Sequence, residues 1–172
     1  SGYMTVKQVE HYLNPTWRLE VARSFVEGAY KNIRQVLAYY QRRDKDVQEI
    51  IKRIDNLALS ITTNETIEKL MATEGHIREI YYTSFDKILG NSEFPFQSRS
   101  RRPPANELNA LISFGNTLMY TTSLSEIYRT HLDPRIGFLH AANFRRFSLQ
   151  LDIAEIFKPI IVDRVIFTLL GK

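Results

Sequence analysis

The sequence predicts an all-α protein. Apolar residues recur at the three- and four-residue spacing of amphipathic helices along most of its length. Capping residues stand just ahead of several of those stripes. With 7 Gly and 6 Pro in 172 residues, the chain has too few turn formers for an all-β domain of this size.

The first clear helix starts where Asn14 can cap and Pro15 suits the first helical position. Its stripe is Trp17, Val21, Phe25, Ala29, Ile33, Val36, Leu37 and Tyr40, and it should stop near Arg42-Arg43-Asp44. A second helix carries Val47, Ile50, Ile51, Ile54, Leu57 and Ala58 on one face. Thr62 and Glu65 stand in capping-box spacing and should open a third. Its stripe runs Ile67, Leu70, Met71, Glu74, Ile77, Tyr81, Phe85, Ile88. Gly90 to Ala105 reads as a long loop, broken by Pro95, Pro103 and Pro104 and carrying Arg99, Arg101 and Arg102. The fourth helix spans about Glu107 to Tyr128. Gly115 lies inside it at a propensity cost of about 1 kcal/mol, which points to a close neighbouring backbone. Asp133 to Gly137 forms a turn, and Phe138-Leu139-His140 leaves it as an irregular piece. Ser148 is the expected cap of a fifth helix, and Pro159 opens a buried last one.

This length suits one domain, residues 1–172. Hydrophobic residues at 44% and charged residues at 24% are those of an ordinary soluble chain. Zero Cys excludes disulfides, thiolate metal sites and cysteine nucleophiles. The net charge of +4 allows a polyanionic partner without demanding one. No apolar run is long enough to span a membrane, and the N-terminus lacks a signal-peptide pattern. The chain starts Ser1-Gly2-Tyr3 and ends straight after an apolar helical pattern, so a fragment of a longer protein is expected.

Four residues break the apolar pattern. Glu74 sits on a core-facing stripe, where a carboxylate must be paired or bound to metal. Arg78, one turn on, is the simplest partner. His140 closes the turn after Phe138-Leu139; a ligand, a proton carrier or a satisfied core imidazole all fit. Asp152 and Glu155 share a helix face and repel unless a cation joins them, with Lys158 and Arg146 as the ordinary partners. Taken together, oxygen donors with one imidazole suit Mg²⁺ or Mn²⁺. Such an ion acts on phosphate esters. Arg99, Arg101, Arg102, Arg145 and Arg146 are the candidates to hold a nucleic-acid backbone. The tyrosine pairs Tyr39-Tyr40 and Tyr81-Tyr82 suit core packing. Phosphate-loop, dinucleotide-binding, serine-hydrolase and zinc-protease motifs are missing.

Three blocks in order carry a resemblance: Arg102-Pro103-Pro104-Ala105-Asn106-Glu107 through Asn116, His131-Leu132-Asp133-Pro134-Arg135-Ile136-Gly137-Phe138-Leu139-His140, and Arg145 through Pro159 followed by Val162-Asp163. They resemble the CRISPR-associated endonuclease and integrase family, Cas1. Gln8 to Arg18 is similar to the start of that family's helical lobe. The resemblance implies an all-α catalytic lobe from a larger β plus α protein, its N-terminal β domain and the end of the lobe lying outside this chain. It implies a metal-dependent DNA endonuclease and integrase that inserts spacers into CRISPR arrays. The family's metal ligands fall on Glu74, His140 and Glu155, with Asp152 beside them in the catalytic set. The last ligand is Asp in some members and Glu here. Mg²⁺ or Mn²⁺, double-stranded and branched DNA, the small partner protein Cas2, a homodimer in the full-length protein and a prokaryotic cytoplasm are implied with it. The alternative is a non-catalytic helical module that binds nucleic acid or docks a partner.

Overall fold

The computed structural model describes residues 2–90, 93–141 and 147–171. The described residues form helices joined by turns and loops, with no strand. In chain order these are α1 (Gly2–Leu13), α2 (Pro15–Gln41), α3 (Gln48–Ala58), α4 (Ile67–Tyr82), α5 (Ser84–Leu89), α6 (Glu107–Tyr128), α7 (Ser148–Phe157) and α8 (Arg164–Leu170). A π-helical segment, Pro159–Asp163, links α7 to α8. No described helix is long and apolar enough to cross a membrane.

Helix α2 is the central post. Asn14 caps it by accepting the Trp17 N–H at 3.0 Å, and Pro15 occupies its first turn. Its buried stripe is Ala22, Val26, Ala29, Ile33, Val36 and Leu37. Trp17 is 45% exposed and lies outside it. Helices α1, α3, α4 and α7 all pack on α2. At about 1.5–3 kcal/mol per buried aliphatic or aromatic side chain, this shared core is the main stabilising term. An aromatic cluster fills one end, where Phe85 meets Tyr81, Tyr82, Phe96 and Phe167. The Tyr81-Tyr82 pair is therefore core, as its pattern suggests. Tyr39 and Tyr40 are half-buried, and Arg43 covers the Tyr39 ring at 3.6 Å.

Several boundaries differ from expectation. Helix α1 carries no stripe that the sequence displays clearly. It is tied down by Gln8, whose amide N–H groups reach Asp133 O at 2.9 Å and Ile136 O at 2.8 Å. The Gln8 carbonyl accepts the Asp133 N–H in return. Thr66, not Thr62, caps α4, because its hydroxyl accepts the Lys69 N–H. The stripe from Ile67 to Ile88 is two helices, α4 and α5, meeting at Thr83. Its hydroxyl donates to Ile80 O at 2.6 Å, a local bond that competes with helix continuation. Ser148 begins α7 but does not cap it. Its hydroxyl instead accepts the Gly137 N–H and donates to Arg135 O, each at 2.8 Å.

Helix α6 matches its predicted span. Its buried face is mixed: Leu108, Ile112, Met119 and Ile127 alternate with Asn109, Asn116 and Ser123. Leu111 and Leu118 face outward. A Cβ on Gly115 would lie 2.5 Å from Val162 Cγ1. The close neighbour is thus a side chain of the π segment, rather than a backbone.

Candidate active site

Helices α4, α6 and α7 converge on Glu155. Glu74 and Arg78 lie one turn apart on α4, and Arg78 Nε donates to Glu74 Oε1 at 2.9 Å. The same guanidinium reaches across to α7, where Nη2 lies 2.6 Å from Glu155 Oε2. That contact is an ion pair without hydrogen-bond alignment, so Glu155 Oε2 is buried with no hydrogen bond, and Arg78 Nη1 also has none. The second Glu155 oxygen meets Lys158 Nζ at 2.6 Å. Tyr120 of α6 closes the group, its hydroxyl 3.3 Å from Lys158 Nζ and 3.4 Å from Glu155 Oε1.

Burial here works against every charge, and the partners decide the outcome. It pushes the Glu155 carboxyl upward, but Arg78 and Lys158 outweigh it and hold the group at about 2. For Arg78, burial works against the charge, yet Glu155 and Glu74 keep it raised and firmly protonated. Lys158 is lowered, because burial outweighs the attraction of Glu155. Tyr120 is raised by burial and by the Glu155 charge.

His140 and Asp152 form the other half. The Asp152 side chain is fully buried. Its Oδ2 accepts the N–H groups of Phe138 at 2.6 Å and Leu139 at 3.1 Å, and its Oδ1 accepts that of His140 at 3.0 Å. Oδ1 also lies 2.7 Å from His140 Nδ1. A carboxylate only accepts, so Nδ1 carries the hydrogen and Nε2 is the ring nitrogen left for a ligand. Burial lowers the His140 pKa, but the Asp152 hydrogen bond and charge turn the net shift upward. Gly137 makes this turn possible. A Cβ there would meet Ser148 C at 2.7 Å and Asp152 Oδ2 at 2.9 Å.

Two cavities flank the carboxylates. One of about 280 Å³ is lined by Glu74, Gly75, Arg78, Glu79, Tyr82, Arg99 and Arg101. The other, about 620 Å³, is lined in part by Arg99, Arg101, Arg102, Asn116, Tyr120, Gln150 and Lys158. Arg101 and Arg102 are exposed on the loop before α6. Arg99 has different surroundings: it donates to Ser100 O, to Asn109 Oδ1 at 2.9 Å and to Ser113 Oγ at 2.9 Å. These bonds staple the loop to α6. Arg145 and Arg146 lie outside the described residues.

The structure therefore brings Glu74 and Glu155 together through Arg78, and ties His140 to Asp152. The expected Glu74–Arg78 pair is present, and so is Glu155–Lys158, though both are buried rather than solvated. Among the described residues, no group of three His, Asp or Glu side chains is drawn together as an ion's ligands. Sequence reasoning missed Tyr120, Asn109 and Asp163. Asn109, Asn116 and Ser123 repeat every seven residues on the face of α6 that also carries Leu108 and Ile112, a spacing that marks them as buried. The fully buried Asn109 carries the loop, accepting the Ser100 N–H and donating to Ser98 O. Asp163 accepts the Tyr81 hydroxyl at 3.0 Å.

The arrangement defines a helical domain with a buried carboxylate–imidazole site beside a basic, open cavity. The chain belongs to the Cas1 family: the model described as CRISPR associated protein Cas1 matches residues 1–172. It is 59% identical over 172 residues to the CRISPR-associated endonuclease Cas1 2 of Thermodesulfovibrio yellowstonii, covering 100% of this chain and 52% of that protein. It is 50% identical over 172 residues to the CRISPR-associated endonuclease Cas1 of Fusobacterium nucleatum, covering 100% of this chain and 51% of that one. The solved structure of a Cas1 protein from Thermotoga maritima matches with a TM-score of 0.85 at 44% identity, over 99% of this chain and 53% of that one. A casposase bound to integration product shares the fold, with a TM-score of 0.85 at 23% identity over 95% of this chain and 48% of that one. The chain spans about half the length of the curated relatives it matches.

Proposed function

We propose that this chain is the catalytic helical region of a divalent-metal-dependent DNA endonuclease and integrase that inserts spacers into CRISPR arrays. The observation that supports it best is the pairing of His140 with Asp152 on the turn beside Glu155. A metal-ligating imidazole ordinarily gives its second nitrogen to a carboxylate in this way. Glu74, Glu155 and His140 are a hard-oxygen and imidazole set that fits Mg²⁺ or Mn²⁺ in kind. The ionised Glu155 Oε2, which makes no hydrogen bond, fits as well.

When bound, such an ion acts as a Lewis acid at a phosphodiester and activates a hydroxyl nucleophile. Glu74 and Glu155 would hold it with His140 Nε2. Asp152 is a positioning residue: its oxygens are taken by three backbone N–H groups and by His140 Nδ1. It fixes the tautomer and keeps water from the turn. Arg101 and Arg102 supply charge for DNA phosphates, while Arg99 holds their loop in place. Arg145 and Arg146 join the phosphate contacts by charge. The substrates are double-stranded and branched DNA. The longer protein acts as a homodimer with Cas2, in the cytoplasm of a prokaryote.

The test is cleavage or joining of branched DNA in Mn²⁺ by the full-length protein. His140→Ala should lose activity while circular dichroism stays unchanged. Retained activity overturns the site. Salt-sensitive DNA binding that ignores both Mn²⁺ and the loss of Glu74 supports a non-catalytic module instead.

A further inference from the structure

The two carboxylates of this site already face two cations. Arg78 spans Glu74 and Glu155, at 2.9 and 2.6 Å, and Lys158 lies 2.6 Å from Glu155. All four side chains are less than one-fifth exposed. Within this set of four the charges balance. A divalent ion placed between Glu74 and Glu155 with both cations in place would add two positive charges to a poorly solvated cluster. At such distances and low dielectric that repulsion is large. Either a cation withdraws or an anion arrives with the metal.

The surroundings single out Arg78. Lys158 borders the cavity of about 620 Å³ but meets only one of the two carboxylates, Glu155, together with the Tyr120 hydroxyl. Arg78 meets both carboxylates and shares with Glu74 the cavity next to Gly75 and Arg101. Nothing lies within 4 Å of a Cβ built on Gly75, so there is room beside Glu74. One of its nitrogens, Nη1, makes no hydrogen bond. A guanidinium so placed occupies the gap that an ion joining the two carboxylates would need.

We propose that Arg78 is the internal counter-ion of the site: it joins Glu74 to Glu155 in the metal-free protein and competes with a divalent cation for both. Tight metal binding then depends on a DNA phosphate arriving to draw Arg78 away or to balance the added charge. By linkage, metal and DNA strengthen each other's binding by the same factor. This role rests on reading Glu74 and Glu155 as metal ligands.

The experiment is Mn²⁺ titration by calorimetry, with and without a short blunt DNA duplex, on wild type, Arg78→Gln, Arg78→Lys and Glu155→Gln. Without DNA, Arg78→Gln should bind Mn²⁺ at least about tenfold more tightly than wild type, with Arg78→Lys between them. DNA should tighten Mn²⁺ binding strongly in wild type and little in Arg78→Gln. A purely structural arginine would not raise metal affinity when removed. Arg78→Gln binding no more tightly than wild type, with its circular dichroism unchanged, overturns the proposal. If that variant is unfolded in metal-free buffer, Mn²⁺ should restore its helical signal. No restoration, together with Arg78→Lys binding no better than wild type, also overturns it. Glu155→Gln separates the two levels. Unchanged Mn²⁺ affinity there sinks the metal-site reading itself, whereas a loss there without a gain at Arg78→Gln sinks only the counter-ion role.

Discussion

The Asp152 carboxylate lies 2.7 Å from the His140 imidazole, and it also accepts three successive backbone N–H groups from Phe138 to His140. One buried side chain thus shapes the turn and orients the ring it presents. Asp152→Ala leaves those donors unpaired in a closed environment. It should destabilise the fold by about 3–5 kcal/mol, read as a fall in urea midpoint. Asp152→Asn should cost less but lower the His140 pKa, which NMR titration of the ring protons will show. An unmoved His140 pKa would remove Asp152 from its positioning role.

Two of the glycines in tight contact, Gly137 and Gly115, should respond differently to alanine. At Gly137 the added carbon meets backbone of Ser148 and Leu149, which cannot move aside. Gly137→Ala should cost about 3 kcal/mol, at the upper end for overpacking. At Gly115 it meets only the Val162 side chain. Gly115→Ala should cost less, because the helix gains about 1 kcal/mol of propensity. Pairing it with Val162→Ala should recover about 1 kcal/mol relative to the sum of the single variants. Strict additivity in that cycle would show that the contact carries no strain.

Stability should fall between weakly acidic and neutral pH because of Asp163. Burial lifts its carboxyl to about 6, against the opposing pull of Arg78 and the Tyr81 hydrogen bond. Between about 4 and 6 the folded chain keeps a proton that the unfolded chain has already released. Stability therefore drops as pH rises through that window and stays lower above it. Asp163→Asn should flatten this slope, gaining roughly 1–3 kcal/mol on wild type from pH about 4 to 7. Parallel curves for the two proteins would rule out Asp163 as the source.

Glu155 and Glu74 should be unequal in stability. Glu155 meets two cations and its side chain is 13% exposed; Glu74 meets one and is 18% exposed. Glu155→Gln leaves Lys158 without its ion-pair partner and Arg78 with Glu74 alone. A loss of about 3–5 kcal/mol is expected, against about 1–2 kcal/mol for Glu74→Gln. Equal urea midpoints would mean that Lys158 is neutral in the folded chain.

Much of this was legible before any coordinates. The Asn14 cap, the span of α6 and the Glu74–Arg78 pair follow from short-range spacing, which the backbone period fixes. Helix α1 was not legible, because its buried residue is the amide of Gln8 rather than an apolar stripe. Thr83 was hidden because Phe85 and Ile88 are buried after the break, just as an unbroken stripe would place them. The i,i+3 spacing of Asp152 and Glu155 put them on one face but could not tell their partners apart. Asp152 turns to the backbone of the Gly137–His140 turn, and Glu155 to Arg78 and Lys158. Arg99 looked like its neighbours Arg101 and Arg102, and only the position of Asn109 and Ser113 separates it from them. The mutual approach of Glu74, Glu155 and Arg78 joins residues 77 apart, beyond any local pattern.

The Gln8 amide has a consequence for the order in which the molecule is made. Its partners Asp133 and Ile136 leave the ribosome 125 and 128 residues after it. Within this region, helix α1 emerges ahead of these partners and stays unlatched until Asp133 and Ile136 have been synthesised. Contacts of such sequence separation form late and slow folding. The turn that presents His140 is therefore secured only after these distant partners meet, so a nascent chain stalled before Asp133 holds α1 and Glu74 but no assembled site.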